Sequence, residues 1–156
     1  MSELFAWIGP AYLLSVAWPL ARTDIREHRL PNKYTLPLVP IALAGQLAAC
    51  LAGSDWSKLG LAFAWGVVAF AVGLGINRMG TLGMGDVKLI TGMSLCLGWF
   101  APLAPLFALC AAFALATLVV LFLFATRKAR MGSSIALGPY LLAGFVIDLG
   151  SIASQK

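Results

Sequence analysis

Apolar residues fall along this chain in six blocks separated by short polar segments, roughly 5–21, 36–51, 59–76, 87–101, 103–124 and 134–152. A bilayer core of about 30 Å takes about 20 apolar residues per helix, within a range of about 17–25. Each block is therefore read as a transmembrane helix. The fourth is short, and its join to the fifth, around Pro102 and Pro105, is ambiguous. The expected architecture is an all-α, polytopic integral membrane helix bundle of about six transmembrane helices, forming a single domain over residues 1–156.

The polar positions test that reading. Arg22, Arg26, Arg29 and Lys33 lie between the first two blocks, Arg78 and Lys88 around the next polar break but one, and Arg127, Lys128 and Arg130 between the last two. That puts nine of the eleven basic residues on one side, with Lys58 and Lys156 on the other. Lys and Arg concentrate in cytoplasmic loops. The three basic loops are thus expected inside and both termini outside; five spans would split the basic loops between the two sides.

Composition agrees: 61% of residues are hydrophobic and 11% charged, far from the balance of a soluble domain. The net charge of +5 then reads as loop charge rather than as a nucleic-acid patch, and no aromatic-and-basic stripe of the kind single strands prefer is present. The first block is preceded by Glu3 rather than by basic residues, so it is read as a span and not as a cleavable signal.

Ala62 and Gly66, then Ala69 and Gly73, give the third span a small-xxx-small face for close packing. Trp7, Trp18, Trp56 and Trp99 fall near span ends, as interfacial aromatics do. Cys50, Cys96 and Cys110 are isolated in apolar runs without a C-x-x-C pair, and are expected to be buried small hydrophobes. His28 is the only histidine. No metal or cofactor is expected.

Six acids remain. Glu3 and Asp55 fall in outward segments, Asp148 near the end of the last span where an outward interface could solvate it, and Glu27 among basic loop residues. Asp24, in "RTDIREHRLPN", follows the first span; Asp86, in "GMGDVKL", precedes the fourth. Under the topology above both lie at the cytoplasmic boundary, on different helices and at one depth. Two carboxylates so placed can share a site. They cannot both ionise cheaply, so one keeps a proton and the pair titrates as a unit. One then takes a proton from water while the other polarises a scissile carbonyl and helps protonate the leaving amine.

Taken alone, Asp86 is equally well an acid meeting the positive end of a helix. Gly83 and Gly85 would allow close backbone approach, in a buried turn that aims Asp86 inward. Pro31 biases Leu30 toward an extended conformation, and Asn32 can cap or turn the chain into the second span. Lys88 could lower the pKa of Asp86 or reach lipid head groups; the second is favoured.

These residues carry a resemblance. "DIREHRLPN" resembles the first catalytic motif of type IV prepilin peptidases, membrane aspartic proteases of the G-x-G-D kind, and "GMGDVKL" resembles their second. "ALGPYLLAG", residues 136–144, is similar to the Pro-containing signature of their last helix. The resemblance implies that Asp24 and Asp86 are the catalytic acids, supported by Gly83, Gly85, Lys88, Pro31 and Asn32. It implies an inner (cytoplasmic) membrane enzyme acting at the cytoplasmic face, without cofactor. Its partners would be the lipid bilayer and a prepilin or pseudopilin with a short basic leader before a hydrophobic helix. Larger members carry an N-terminal insertion with paired C-x-x-C motifs and also methylate the new N-terminus; this chain resembles the short form, and methyl transfer is not expected of it.

Two other classes stay open. A presenilin-like intramembrane protease also uses G-x-G-D, but its first aspartate lies inside a span, usually beside Tyr. A small ion- or proton-coupled transporter could use the same two acids, since intramembrane acids often mark ion paths; no internal repeat supports it.

Overall fold

The computed structural model describes residues 2–27, 29–126 and 136–154. Arg127, Lys128, Arg130, His28, Lys156 and the first residues of the sixth predicted span lie outside that set. Six α-helices appear: α1 (Ile8–Glu27), entered through a 3-10 turn (Ser2–Trp7), α2 (Asn32–Leu51), α3 (Trp56–Arg78), α4 (Met84–Gly98), α5 (Ala104–Ala125) and α6 (Gly138–Ser154). Four of the described helical stretches are long and apolar enough to cross a membrane: Ser2–Glu27, Asn32–Leu51, Trp56–Arg78 and Ala104–Ala125. This is a helical membrane bundle, as the six apolar blocks predict.

The helices share the burial unequally. α3 and α5 turn apolar side chains outward as well as inward, with Phe63, Val67, Phe70, Phe107, Phe113, Leu118 and Phe122 all exposed. A helix apolar on every face belongs in lipid or in a core. α4 is the opposite case: ten of its fifteen residues are buried, because α2, α3, α5 and α6 pack around it. At about 1.5 Å per residue α4 is only about 22 Å long, shorter than a bilayer core. Pro105 stands in the first turn of α5, which resolves the ambiguous join as a short loop, 99–103.

Small residues set the close contacts. Gly66 meets Leu95, Gly73 meets Val87, and Gly98 meets Ala62 and Trp65, so the small face predicted on the third span is the seam between antiparallel α3 and α4. Chain direction alternates, which gives the bundle two distinct ends. One end holds the Lys58–Glu3 ion pair, the Asp55 cap of α3 and the Trp7–Phe100 ring contact. The other holds the end of α1, the starts of α2, α4 and α6, and with them Arg22, Arg26, Arg29, Lys33, Arg78 and Lys88.

Three expectations fail on burial. Trp99 is 2% exposed, a core residue rather than an interfacial one, because it caps the buried helix α4 with helical angles. Asp148 is 8% exposed and not solvated, since the buried stripe of α6 (Leu141, Phe145, Leu149, Ile152) runs past it. Cys110 is exposed on the outer face of α5, while Cys50 and Cys96 are buried as expected.

Candidate functional site

Asp24 stands on a helix, not in the loop that the end of the first apolar block implies. α1 continues through Arg22 to Glu27 because its buried stripe does: Gly9, Leu13, Leu20 and Asp24 lie on one face. Asp24 is 4% exposed, whereas Arg22, Ile25, Arg26 and Glu27 around it are exposed. Its Oδ2 accepts the backbone N–H of Gly138, the first residue of α6, at 2.8 Å. An amide at a helix N-terminus carries partial positive charge and favours an ionised carboxylate. Gly138 was not singled out from the sequence. The signal was the Gly-Pro pair at the head of the last helix: Pro139 fits the first turn, where its missing N–H is no loss.

Asp86 lies in the first turn of α4, ahead of the apolar run that starts at Val87. Gly83 caps that helix with ordinary extended angles (φ −67°, ψ 144°), and its N–H reaches the Asp86 carboxyl. The predicted buried turn is thus a regular, partly exposed helix start in which Asp86 answers the capping residue, as the acid of a capping box does. Gly83 and Gly85 act through missing side chains rather than special angles. A Cβ on Gly83 would stand 2.8 Å from Asp86 Oδ2, and one on Gly85 2.8 Å from Leu30 Cβ.

The second oxygen, Asp86 Oδ1, is buried and has no hydrogen-bond partner. Burial pushes the Asp86 carboxyl up to about 6, and the charge of Asp24 pushes the same way. The two acids, one on α1 and one on α4, therefore come within each other's field. An ordinary carboxyl titrates near 4; this one holds its proton to higher pH.

The supporting residues join the two motifs. Lys88 Nζ donates to Asn32 Oδ1 at 2.9 Å, tying α4 to the first residue of α2. Asn32 does not cap its helix but is its first residue, where the chain turns into the second span. The N-cap of α2 is Pro31, which cannot cap with a side chain.

Beside the acids, α3 and α5 both pack on α4 but hardly on each other. The gap is an apolar groove of about 570 Å³, floored by Ile90 and Ser94 of α4. Its near end is closed by Leu82 and Leu137, the residues before Gly83 and Gly138. Ile90 lies one turn below Asp86 on the same face.

A family model described as the type IV leader peptidase family matches residues 11–126. The match takes in Asp24, Leu30 to Asn32 and Gly83 to Lys88, and ends before Gly138. No curated protein and no solved structure matches the chain.

Proposed function

The chain belongs to the type IV leader peptidase family, and from that premise we propose that it is an aspartic endopeptidase which removes the short basic leader of type IV prepilins or pseudopilins, using Asp24 and Asp86. The observation that carries this reading is the pairing itself. Two acids 62 positions apart lie within each other's field at the basic end of the bundle, each held by the backbone amide at a helix start, and the charge of one raises the pKa of the other.

The environments divide the labour. Asp24, facing the Gly138 amide, is the carboxylate and the base. Asp86, half-buried with one oxygen buried and bare, keeps the proton and is the acid. Asp24 takes a proton from water as the water oxygen attacks the scissile carbonyl carbon. Asp86 donates a hydrogen bond to the carbonyl oxygen, where negative charge develops. As the tetrahedral intermediate collapses, the C–N bond breaks and the leaving amine takes up a proton from the pair. No covalent intermediate forms.

Basic residues crowd the end that holds the acids, which supports an inner-membrane protein with that end at the cytoplasmic face. The apolar groove ends at Leu82 and Leu137, the residues before Gly83 and Gly138, and suits the hydrophobic segment that follows a leader.

The test is leader removal from a purified prepilin by the detergent-solubilised protein, followed by gel shift and by sequencing the new N-terminus. A protein that cuts no leader-bearing substrate sinks the proposal. The pH profile adds a signed prediction. Asp86 holds its proton up to about 6, so kcat/KM falls on the alkaline side with a midpoint near that value as the acid is lost. It also falls at low pH, where the base becomes protonated. Bound substrate excludes water, which disfavours the ionised form further, so the alkaline limb of kcat lies at higher pH than that of kcat/KM. A kcat/KM that climbs steadily from pH 5 to 8 is incompatible with this pair.

A further inference from the structure

Between the end of α1 and the start of α2, Leu30 is buried to 8% exposure while Arg29 and Asn32 beside it are exposed. A lone leucine turned inward from a polar connection needs a reason. Its neighbours give one. Leu30 lies against Gly85, the residue before Asp86, where an added Cβ would meet Leu30 Cβ at 2.8 Å and its carbonyl oxygen at 3.3 Å. It also lies against Gly138, whose N–H holds Asp24, where an added Cβ would meet Leu30 Cδ2 at 3.2 Å and Asp24 Oδ2 at 2.7 Å. One side chain thus packs against the residue before Asp86 and against the residue whose amide holds Asp24. Two residues further on, Asn32 is tied by Lys88 to the turn of α4 that follows Gly85.

We propose that Leu30 is the spacer of the acid pair: a positioning residue wedged between α4 and α6 that fixes the separation of Asp24 and Asp86 and keeps water from the space behind them. This rests on the reading of the two aspartates as a pair, and goes beyond it by naming what sets their distance. The geometry is specific. Both contacts exist only because Gly85 and Gly138 lack side chains, so the wedge and its two seats are matched in size. The Lys88–Asn32 bond closes the segment over the wedge from outside. A spacer of this kind acts through volume rather than chemistry, so a residue of equal volume should replace it and a smaller one should not.

The effect can be read without catalysis. Carboxyl carbons of labelled aspartates are titrated by NMR in micelles, with Asp24→Asn and Asp86→Asn supplying the assignments. Leu30→Ala opens a space that water and the carboxylates can enter, and lets the pair part. Both changes act in one direction, so the titration assigned to Asp86 moves down toward that of an ordinary aspartate. Leu30→Met keeps it near the wild-type midpoint. In the cleavage assay Leu30→Ala loses at least tenfold in kcat with KM changed less than threefold, and Leu30→Met recovers most of that. Gly85→Ala, which displaces the wedge from the opposite side, guards against a Leu30→Ala protein that does not fold; it moves the same titration downward.

An unchanged Asp86 midpoint in folded Leu30→Ala, or in Gly85→Ala, overturns the spacer. So does a Leu30→Met protein as perturbed as the alanine variant. Failure of the pair itself looks different: cleavage then survives Asp24→Asn or Asp86→Asn whatever Leu30 does.

Discussion

Leader cleavage is lost when Asp86 is replaced by Asn, and lost again when Asp24 is, while both variants remain folded. The expected drop in kcat is about 10²–10⁴-fold for each, the range a positioned general acid or base supplies. Asn keeps nearly the same shape but exchanges no proton. At position 24 its amide oxygen still accepts the Gly138 N–H, so the Asp24→Asn protein retains the contact that joins α1 to α6. At position 86 the orphaned Oδ1 becomes an uncharged atom in the same buried place, which removes a charge burden from the fold. The double variant falls no further than the worse single one, because residues that act as a unit are not additive. Asp24→Asn also removes the charge that helps raise the Asp86 carboxyl, so the Asp86 titration moves down by the part Asp24 contributes, leaving the part due to burial. Gel shift under co-expression with a prepilin, then initial rates with purified proteins, reads the first effect; the aspartate titration reads the second. A single Asn variant within tenfold of wild type ends the two-acid proposal.

How much of this the sequence carried follows from what lipid and water each demand. Lipid demands uninterrupted apolar surface on a helix, so α2, α3 and α5 were visible as blocks, to within a few residues. It says nothing of burial inside the bundle, which packing decides. α1 extends to Glu27 past Arg22 and Thr23 because Asp24 continues an inward stripe. That is a matter of which face a residue occupies, and a run of polar letters conceals it. Trp99 and Asp148 were read by their distance from a span end, whereas folded neighbours decided their exposure. The two aspartates stood out because a carboxylate near an apolar boundary needs an explanation. What holds them did not. The Gly138 amide is a backbone group, common to every residue but proline, and it lies 114 positions from Asp24. The Lys88 partner, Asn32, is likewise 56 positions away. Pairings of that kind come from packing. The Gly-Pro at the head of the last helix was the one local sign that an amide there was free for a partner.

That amide supports the second large effect. Gly138→Ala keeps the N–H and α6 yet places a methyl group where the fold has none: a Cβ there stands 2.7 Å from Asp24 Oδ2 and 3.2 Å from Leu30 Cδ2. Something must give. The carboxylate is the group in the way, because the new methyl comes closer to Asp24 Oδ2 than to Leu30, which is itself wedged between two glycines. A shift of the base by a large fraction of an ångström costs on the order of 100-fold in rate without touching the chemistry of either acid. The expected result is kcat lower by about that factor with KM within a few-fold, in a protein whose thermal unfolding in detergent stays close to wild type. Gly75→Ala is the matched control. It sits in α3 with open space where its Cβ would go. Its activity stays at the wild-type level and its helix gains about 0.5–1 kcal/mol. Should Gly138→Ala cleave at the wild-type rate, the Gly138 amide is not what sets the position of Asp24. A fall in KM-weighted binding alone, with kcat intact, would instead make position 138 part of the surface that grips the leader.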